Sequence, residues 1–494
     1  MNGKTNCIYY SEYGAVGDGV TDDFYAIIKT HNAANESGLK VCADSGAVYY
    51  IGSVEKTALI QTDTDWGNAK FIIDDSKLKV ENRNSHLFIV SSKLPSEKIT
   101  TVKTLRKNQE KIDLSLQHNC FISVSDNTTM RYIREGLNQN NGSSQTDVFV
   151  VDKNGNIDTK NPIIWDFGNI SSMTAYPIDD KTLTVSGGYF TTVANQAESK
   201  YTYYSRGIEI RRSNAVIDGI YHAVTGEGEH GAPYGGFISI SNCSDVTVQN
   251  CMLSGHKTYS TIGSANAPVT MGSYDINVNK STNVTFKNCK QVNDIHDTKI
   301  WGIFGSNYSK NIMFDTVIFS RFDAHMGVAN ATIKNSILGY MGVHLIGCGV
   351  FLIENTKVCG YNFINLRGDY GSTWEGDVII RNCEYLPRNG VPSDAVLIGG
   401  GNSGQHDFGY TCYMPKKITI DGLVIDDSNP TEGYRGPKIF ATFNNKYIND
   451  EYKEKYPYVI TEEVNVKNMT SKSGKPCFIS DNPYMFRNVK ITGE

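Results

Sequence analysis

A seven-residue pattern recurs along this chain and constrains its fold more than any other feature. The copies read NAVIDGI from Asn214, DVTVQNC from Asp245, NVTFKNC from Asn283, NIMFDTV from Asn311 and NATIKNS from Asn330. They continue as VFLIENT from Val350, DVIIRNC from Asp377, KITIDGL from Lys417, EVNVKNM from Glu463 and PYMFRNV from Pro483, with a weaker TLTVSGG from Thr182. The fourth position is apolar in all eleven: Val185, Ile217, Val248, Phe286, Phe314, Ile333, Ile353, Ile380, Ile420, Val466 and Phe486. Two residues earlier the chain is again apolar, and one residue later it is always polar. That alternation marks a strand with one buried face. Anchor spacings fall to 19 and 20 residues between Phe314, Ile333 and Ile353, which suits one coil of three short strands. The pattern predicts an all-β chain: a right-handed parallel β-helix, in which each coil buries its apolar face on its neighbours. At ~4.8 Å per coil the copies span on the order of 50 Å.

Two residues after each anchor stand seven Asn, three Gly and one Thr. Asn and Gly tolerate the left-handed backbone of a tight turn, and stacked amides can bond from coil to coil. Asn288, Asn335, Asn355 and Asn382 are therefore expected to form a buried ladder. Cys251, Cys289 and Cys383 follow this turn and read as buried thiols acting as small hydrophobes. With no pairing pattern among the eleven cysteines, all are expected to stay reduced.

Three regions follow. Residues 1–52 form a cap with the first strands, 53–176 early coils with a β-rich insertion, and 177–494 the main β-helix. In the first, Asp22 is placed to cap a helix over about residues 23–35, stopped by Gly38. The repeat is absent from 77–175, where Asn154-Gly155 within Val148–Ile157 signals a hairpin turn.

The net charge of −5, with no basic run, argues against a nucleic-acid or membrane-surface partner. No apolar stretch is long enough to span a bilayer. Met1–Asn6 carries no apolar leader, leaving open a cytoplasmic protein or a secreted one met in trimmed form. No CxxC pair or His cluster has metal-ligand spacing, so no metal or other cofactor is expected. The 29 tyrosines suit strands, and equally suit stacking on sugars.

Residues Tyr13–Ile27 read YGAVGDGVTDDFYAI, which resembles the FGAxGDGxTDDTxAI opening of the pectate-lyase-like superfamily of parallel β-helix proteins. That superfamily includes polygalacturonases and rhamnogalacturonases, β-1,3-glucanases, alginate C5-epimerases and phage tailspikes. The resemblance covers fifteen residues and implies a polysaccharide or oligosaccharide partner. It does not choose the reaction.

Alternation places Phe322, Ala324 and Met326 inward, leaving Arg321, Asp323 and His325 outward. In the next coil Met341, Val343 and Leu345 point inward and Tyr340, Gly342 and His344 outward. His325 and His344 both lie eleven residues past their anchors, so they are expected to stack. One coil upstream lie Asp294, His296, Asp297 and Lys299; one coil downstream lie Arg367 and Asp369. Acids, imidazoles and guanidiniums thus converge on one lateral surface, with Trp301 and Trp374 as candidate sugar platforms. Asp297, Asp323, His325, His344 and Asp294 are the catalytic candidates, with Asp323 as the acid. A second stretch supplies Glu227, Glu229, His230, Tyr234, His256, Lys257 and Tyr259, expected to line the same groove as substrate subsites.

Polygalacturonase-like hydrolases order acids, a His and a basic residue over successive coils. Asp294 or Asp297, Asp323, His344 and Arg367 follow that order, although the literal NTD, DD, GHG and RIK words are absent. Phe322-Asp323-Ala324-His325 is similar to the end of the epimerases' Tyr-Gly-Phe-Asp-Pro-His stretch, but Ser320 stands at the Tyr position. Hydrolysis requires two carboxyls, one of them protonated. Lyase or epimerase chemistry requires a base and cations, Ca²⁺ among them, to hold a uronate carboxylate. The sequence favours hydrolysis slightly over those two. A non-catalytic glycan-binding or tailspike-type protein is the remaining alternative, and the oligomeric state, monomer or small homo-oligomer, stays open.

Overall fold

The computed structural model describes residues 7–493 except 53–54, 79–83, 201–202, 273, 303 and 403–406. Met1–Asn6, read above for a leader, lies outside the described residues. The chain is a parallel β-helix, and its repeat anchors stack in register. Val185 pairs with Ile217, Ile217 with Val248, Val248 with Phe286 and Phe286 with Phe314. The series continues through Ile333, Ile353, Ile380 and Ile420 to Val466. Ten copies therefore form one ladder whose inward side chains make a continuous core. The eleventh does not: Phe486 sits in a turn, and its ring stacks on Phe440 at 4.5 Å. The terminal strand is instead Lys490–Thr492, against Glu463–Ser471.

Every residue two places after a stacked anchor is left-handed, from Gly187 at φ 71° to Asn468 at 53°, and even Thr316 takes φ 59°. The amide ladder is partial: Asn288 Nδ2 donates to Asn250 Oδ1 at 2.7 Å and Asn355 Nδ2 to Asn335 Oδ1 at 3.3 Å, but Thr316 interrupts the series and Asn335 Nδ2 turns to Asp315 Oδ1 at 3.1 Å. It is exposed, however, not buried. The side chain of a left-handed residue at this corner projects away from the core, so the amides link coils along the outside.

At the N-terminal end, helix α1 (Phe24–Ser37) lays Phe24, Ile27, His31 and Ala34 on the first coils. Asp22 Oδ1 accepts the Phe24 N–H at 3.0 Å, and Gly38 ends the helix at φ 74°. Cys7 and Cys42 are disulfide-bonded here, with Cα atoms 5.9 Å apart. This corrects the expectation of eleven free thiols. The two lie diagonally on the paired strands Cys7–Tyr9 and Lys40–Cys42, outside the repeat from which that expectation came. Cys251, Cys289 and Cys383 are free and buried.

The coils run through Phe88–Val90 and resume at Leu183–Val193, the first of these strands pairing across the gap with Ile208–Ile210. Between them an antiparallel sheet of Ser143–Val151, Cys120–Arg131, Ser172–Pro177 and Glu97–Lys98 folds around its own core. The Asn154-Gly155 signal is a tight turn, with Gly155 N–H bonding Asp152 O at 3.0 Å. This insertion lies against the coils. Asp147 is ion-paired to Lys310 at 2.7 Å, both buried.

Candidate functional site

The strand Ile318–Asp323 buries Phe319 and Phe322 in the core, which turns Arg321 and Asp323 to the lateral face. They do not meet solvent there: Arg321 is 3% exposed and Asp323 0%, because the insertion and neighbouring loops roof this face. The neighbouring strand Ile337–Leu345 slips register, so Phe319 pairs with Leu338 but Arg321 with Gly342 and Asp323 with His344. The two extra residues undo the expected stack of His325 on His344 and turn Met341 into the cavity rather than the core. Glycine permits the slip: a Cβ on Gly339 would lie 2.0 Å from Ile295 O, and Gly342 has φ 57°.

Roof and coils border a half-open cavity of about 480 Å³. Arg134 reaches down from the insertion and Trp301 from a small lateral antiparallel sheet, while Tyr274, Arg321, His344 and Arg367 come from the coils. Arg367 Nη1 donates to both oxygens of Asp323 at 3.1 Å, and Arg321 Nη2 also pairs with Asp323. Asp369 accepts from Arg367 Nη2 at 2.8 Å and from Arg134 Nε at 2.9 Å. Burial opposes ionisation of Asp323, but the guanidiniums of Arg321 and Arg367 outweigh it and hold the carboxyl far below the usual range. The same balance, with Arg367 and Arg134, lowers Asp369. Both carboxyls are thus held as carboxylates by their arginines, an arrangement that does not favour the proton-donor role expected of Asp323.

Burial, aided by the arginines, pushes His325 and His344 down to about 3, so both imidazoles are neutral. His325 Nδ1 faces Asn307 Oδ1 at 3.1 Å, which places its proton there and leaves Nε2 to accept from the Tyr370 hydroxyl at 3.2 Å. The Asn365 amide donates to His344 Nδ1 at 3.2 Å, which places that proton on Nε2. Arg321 lies 5.1 Å from the Trp301 ring centre and 5.7 Å from that of Tyr274. Its Nε and Nη1 are buried and make no hydrogen bond. Three guanidiniums against two carboxylates leave the site one positive charge in excess.

Other expected residues lie elsewhere. Asp294 and Asp297 cap a turn through the N–H groups of His296 and Lys299, both at 2.9 Å, and neither lines the cavity. Trp374 is no platform: it is 0% exposed and packs on Phe351 in the core. Glu229 and His230 are exposed, whereas Tyr234 and Tyr259 are buried, and Lys257 Nζ bonds Gly228 O at 2.7 Å. None of these lines the cavity either. Their region surrounds a buried network instead, in which Asp275 accepts from His222 Nδ1 at 2.8 Å, His256 Nε2 at 2.9 Å and Ser254 N–H at 2.7 Å. Arg134, Asn307, Tyr370 and Asn365 were missed. Arg134 belongs to the insertion, where no period applies, and Tyr370 lies in the LRGDYGSTW stretch beside Arg367 without a repeat position to orient it. Among the described residues no group of three or more His, Cys, Asp or Glu is arranged to hold a metal ion. No helix among them is long and apolar enough to cross a membrane.

No protein-family model matches the sequence, and neither does any curated protein. Solved structures do share the fold. The Pseudomonas phage phi297 tailspike aligns over 97% of this chain and 83% of its own, at 12% identity and a TM-score of 0.56. The tailspike of Acinetobacter baumannii bacteriophage AP22, solved with a capsular saccharide of that bacterium, aligns over 98% and 79%, at 11% identity and the same TM-score.

Proposed function

We propose that the protein binds an acidic polysaccharide in the roofed lateral cavity and cleaves it by β-elimination at a uronate. The observation that carries this reading is the unspent donor pair of buried Arg321, set beside two neutral imidazoles. A guanidinium with free N–H groups in a site of excess positive charge suits a carboxylate. Trp301 and Tyr274, flanking it, offer ring faces to the sugar. The saccharide bound by the AP22 tailspike on the same fold supports a glycan as the ligand.

The chemistry follows from the protonation states. A uronate carboxylate on Arg321 would have the charge that builds on it during C5–H removal stabilised there. His325 takes the C5 proton on Nε2 once the Tyr370 hydroxyl, which donates to that lone pair at 3.2 Å in the free protein, turns aside. The electron pair forms the C4–C5 double bond, the C4–O bond breaks, and the proton taken by His325 passes to the leaving oxygen, which the neutral His344 Nε2–H steadies by hydrogen bonding. The bound carboxylate also offsets the guanidinium charge that depresses both imidazoles, so substrate itself raises the basicity of His325. Hydrolysis would need a protonated carboxyl, and Asp323 and Asp369 are both tied to arginine as carboxylates.

The test is a panel of acidic and neutral polysaccharides assayed for new reducing ends and for ultraviolet absorbance of an unsaturated uronate. Both signals should rise together on an acidic member. Reducing ends without absorbance would establish hydrolysis and refute the proposal; binding with neither signal would leave a glycan-binding protein.

A further inference from the structure

A second cavity lies on the other side of the insertion's contact with the coils. It measures about 290 Å³, close to the lower bound of ~300 Å³ for small-ligand pockets. The insertion supplies Lys107, Arg131 and Trp165 to its lining, and the coil side supplies Glu375, Tyr410 and Tyr413. Tyrosines cluster on its inner side. Tyr132 packs on Tyr308 at 5.4 Å and on Tyr410 at 5.8 Å, and the Tyr410 hydroxyl donates to Tyr370 O at 2.9 Å. Tyr132 itself holds a left-handed backbone, φ 54°. That bend lets one stretch of chain send Arg131 into the second cavity and Arg134 into the first. A bulky residue rarely takes this conformation.

The two cavities differ in charge. In the second, Lys107 is paired with Glu375 at 3.0 Å, and Asp166 Oδ1 accepts the Lys107 N–H at 2.8 Å. Arg131 spends Nε and Nη2 on Gln145 Oε1 at 2.9 and 2.8 Å and lies 4.1 Å from the Trp165 ring centre. Two cations face two carboxylates, and the charge balances. What remains is the edge of the Arg131-stacked Trp165, the rings of Tyr410 and Tyr413 and the hydroxyls of Thr373 and Thr411, a lining that suits an uncharged sugar ring.

We infer that the second cavity is a subsite for an uncharged sugar residue. Resting on the acidic reading of the first cavity, it follows that the natural glycan mixes acidic with neutral units. The four tryptophans make this measurable. Trp66 and Trp374 are sealed in the core at 1% and 0% exposure, while Trp301 lines the first cavity and Trp165 the second. Trp301→Phe leaves Trp165 as the only cavity reporter, and Trp165→Phe leaves Trp301. Each variant is titrated with D-glucose, D-galactose, N-acetyl-D-glucosamine and D-glucuronate while its emission is followed. The Trp301→Phe protein should show a saturable shift with at least one uncharged sugar and none with glucuronate; Trp165→Phe should respond to glucuronate. A Trp165 signal that moves with none of the uncharged sugars, or with glucuronate alone, overturns the inference. A Trp301 signal indifferent to glucuronate, with Trp165 responding to an uncharged sugar, would instead overturn the acidic reading and leave this subsite standing.

Discussion

Replacing Asp275 with Asn should destabilise the coils in a pH-dependent way, and the size can be worked from the buried network. Asp275 is 0% exposed and holds two imidazoles through one carboxylate. Burial alone would lower His256, but its bonds to Asp275 and the nearby Glu227 carboxylate, 3.6 Å away, raise it from 6.5 to about 9. That rise corresponds to roughly 3 kcal/mol of folded-state stabilisation. Because the folded value lies above the unfolded one, this contribution is complete below pH 6.5, falls away as pH rises, and is gone above about 9. Asp275 runs the other way: its lowered carboxyl contributes above its unfolded value of 3.8 and loses that only in stronger acid. Both contributions are whole between pH 3.8 and 6.5. In that window Asp275→Asn should cost ~3–5 kcal/mol, the usual penalty for stripping one partner from a buried ion pair. Above pH 9 the deficit should shrink by most of the His256 share. Urea unfolding of both proteins in the two windows measures this. An equal deficit in both would refute a charged His256, and a wild-type midpoint in the acid window would refute the network's role altogether.

Arg321→Gln should lower turnover of an acidic glycan by on the order of 10²-fold or more, the scale of losing one preorganised donor at developing charge; the melting curve shows whether the fold survives. Thiol titration of the denatured, non-reduced protein should find nine free groups, because Cys7 and Cys42 are joined; eleven would contradict the disulfide. Asn335→Gly should be close to neutral in thermal melting, while Asn335→Leu should cost ~1–2 kcal/mol, since position 335 at φ 54° penalises a side chain with a bulky γ-carbon. Equal losses for the two would mean that the amide bonds, not the backbone, hold that turn.

The coil repeat was legible because one constraint, burial of every second side chain on a neighbouring coil, acts at each copy. It fails at Phe486, which lies in a turn while Lys490–Thr492 takes the pairing with Glu463–Asn465. The lateral cluster was legible as a location, since Arg321, Asp323, His325, His344, Arg367 and Asp369 do come together. Its chemistry was not. Period-2 counting cannot anticipate the slip between Leu338 and Gly342 that sets His344 beside Asp323. Nor can it tell an outward side chain from an exposed one, and here the two differ because the insertion closes over the strand.

On the proposed reading, that closure decides which chemistry the site suits. On an open β-helix face, Asp323 would be solvated and its pairing with Arg321 and Arg367 screened to a fraction of a kcal/mol. Under the roof, desolvation must be answered by charge, so the carboxylates are committed to arginines and the imidazoles are driven neutral. Arg134 completes the exchange from the insertion itself: it takes an oxygen of Asp369 and leaves Arg367 both Asp369 and Asp323 to hold. Arg321 meanwhile spends one nitrogen on Asp323 and keeps two buried donors unpaired. Leaving buried donors unmade costs about 1–3 kcal/mol each, a cost that an incoming carboxylate would repay. On the proposed reading two groups of residues act together: Arg134 of the insertion helps to hold Asp369 as a carboxylate, and Trp301 and Tyr274 cover Arg321 with two donors left for an acidic sugar.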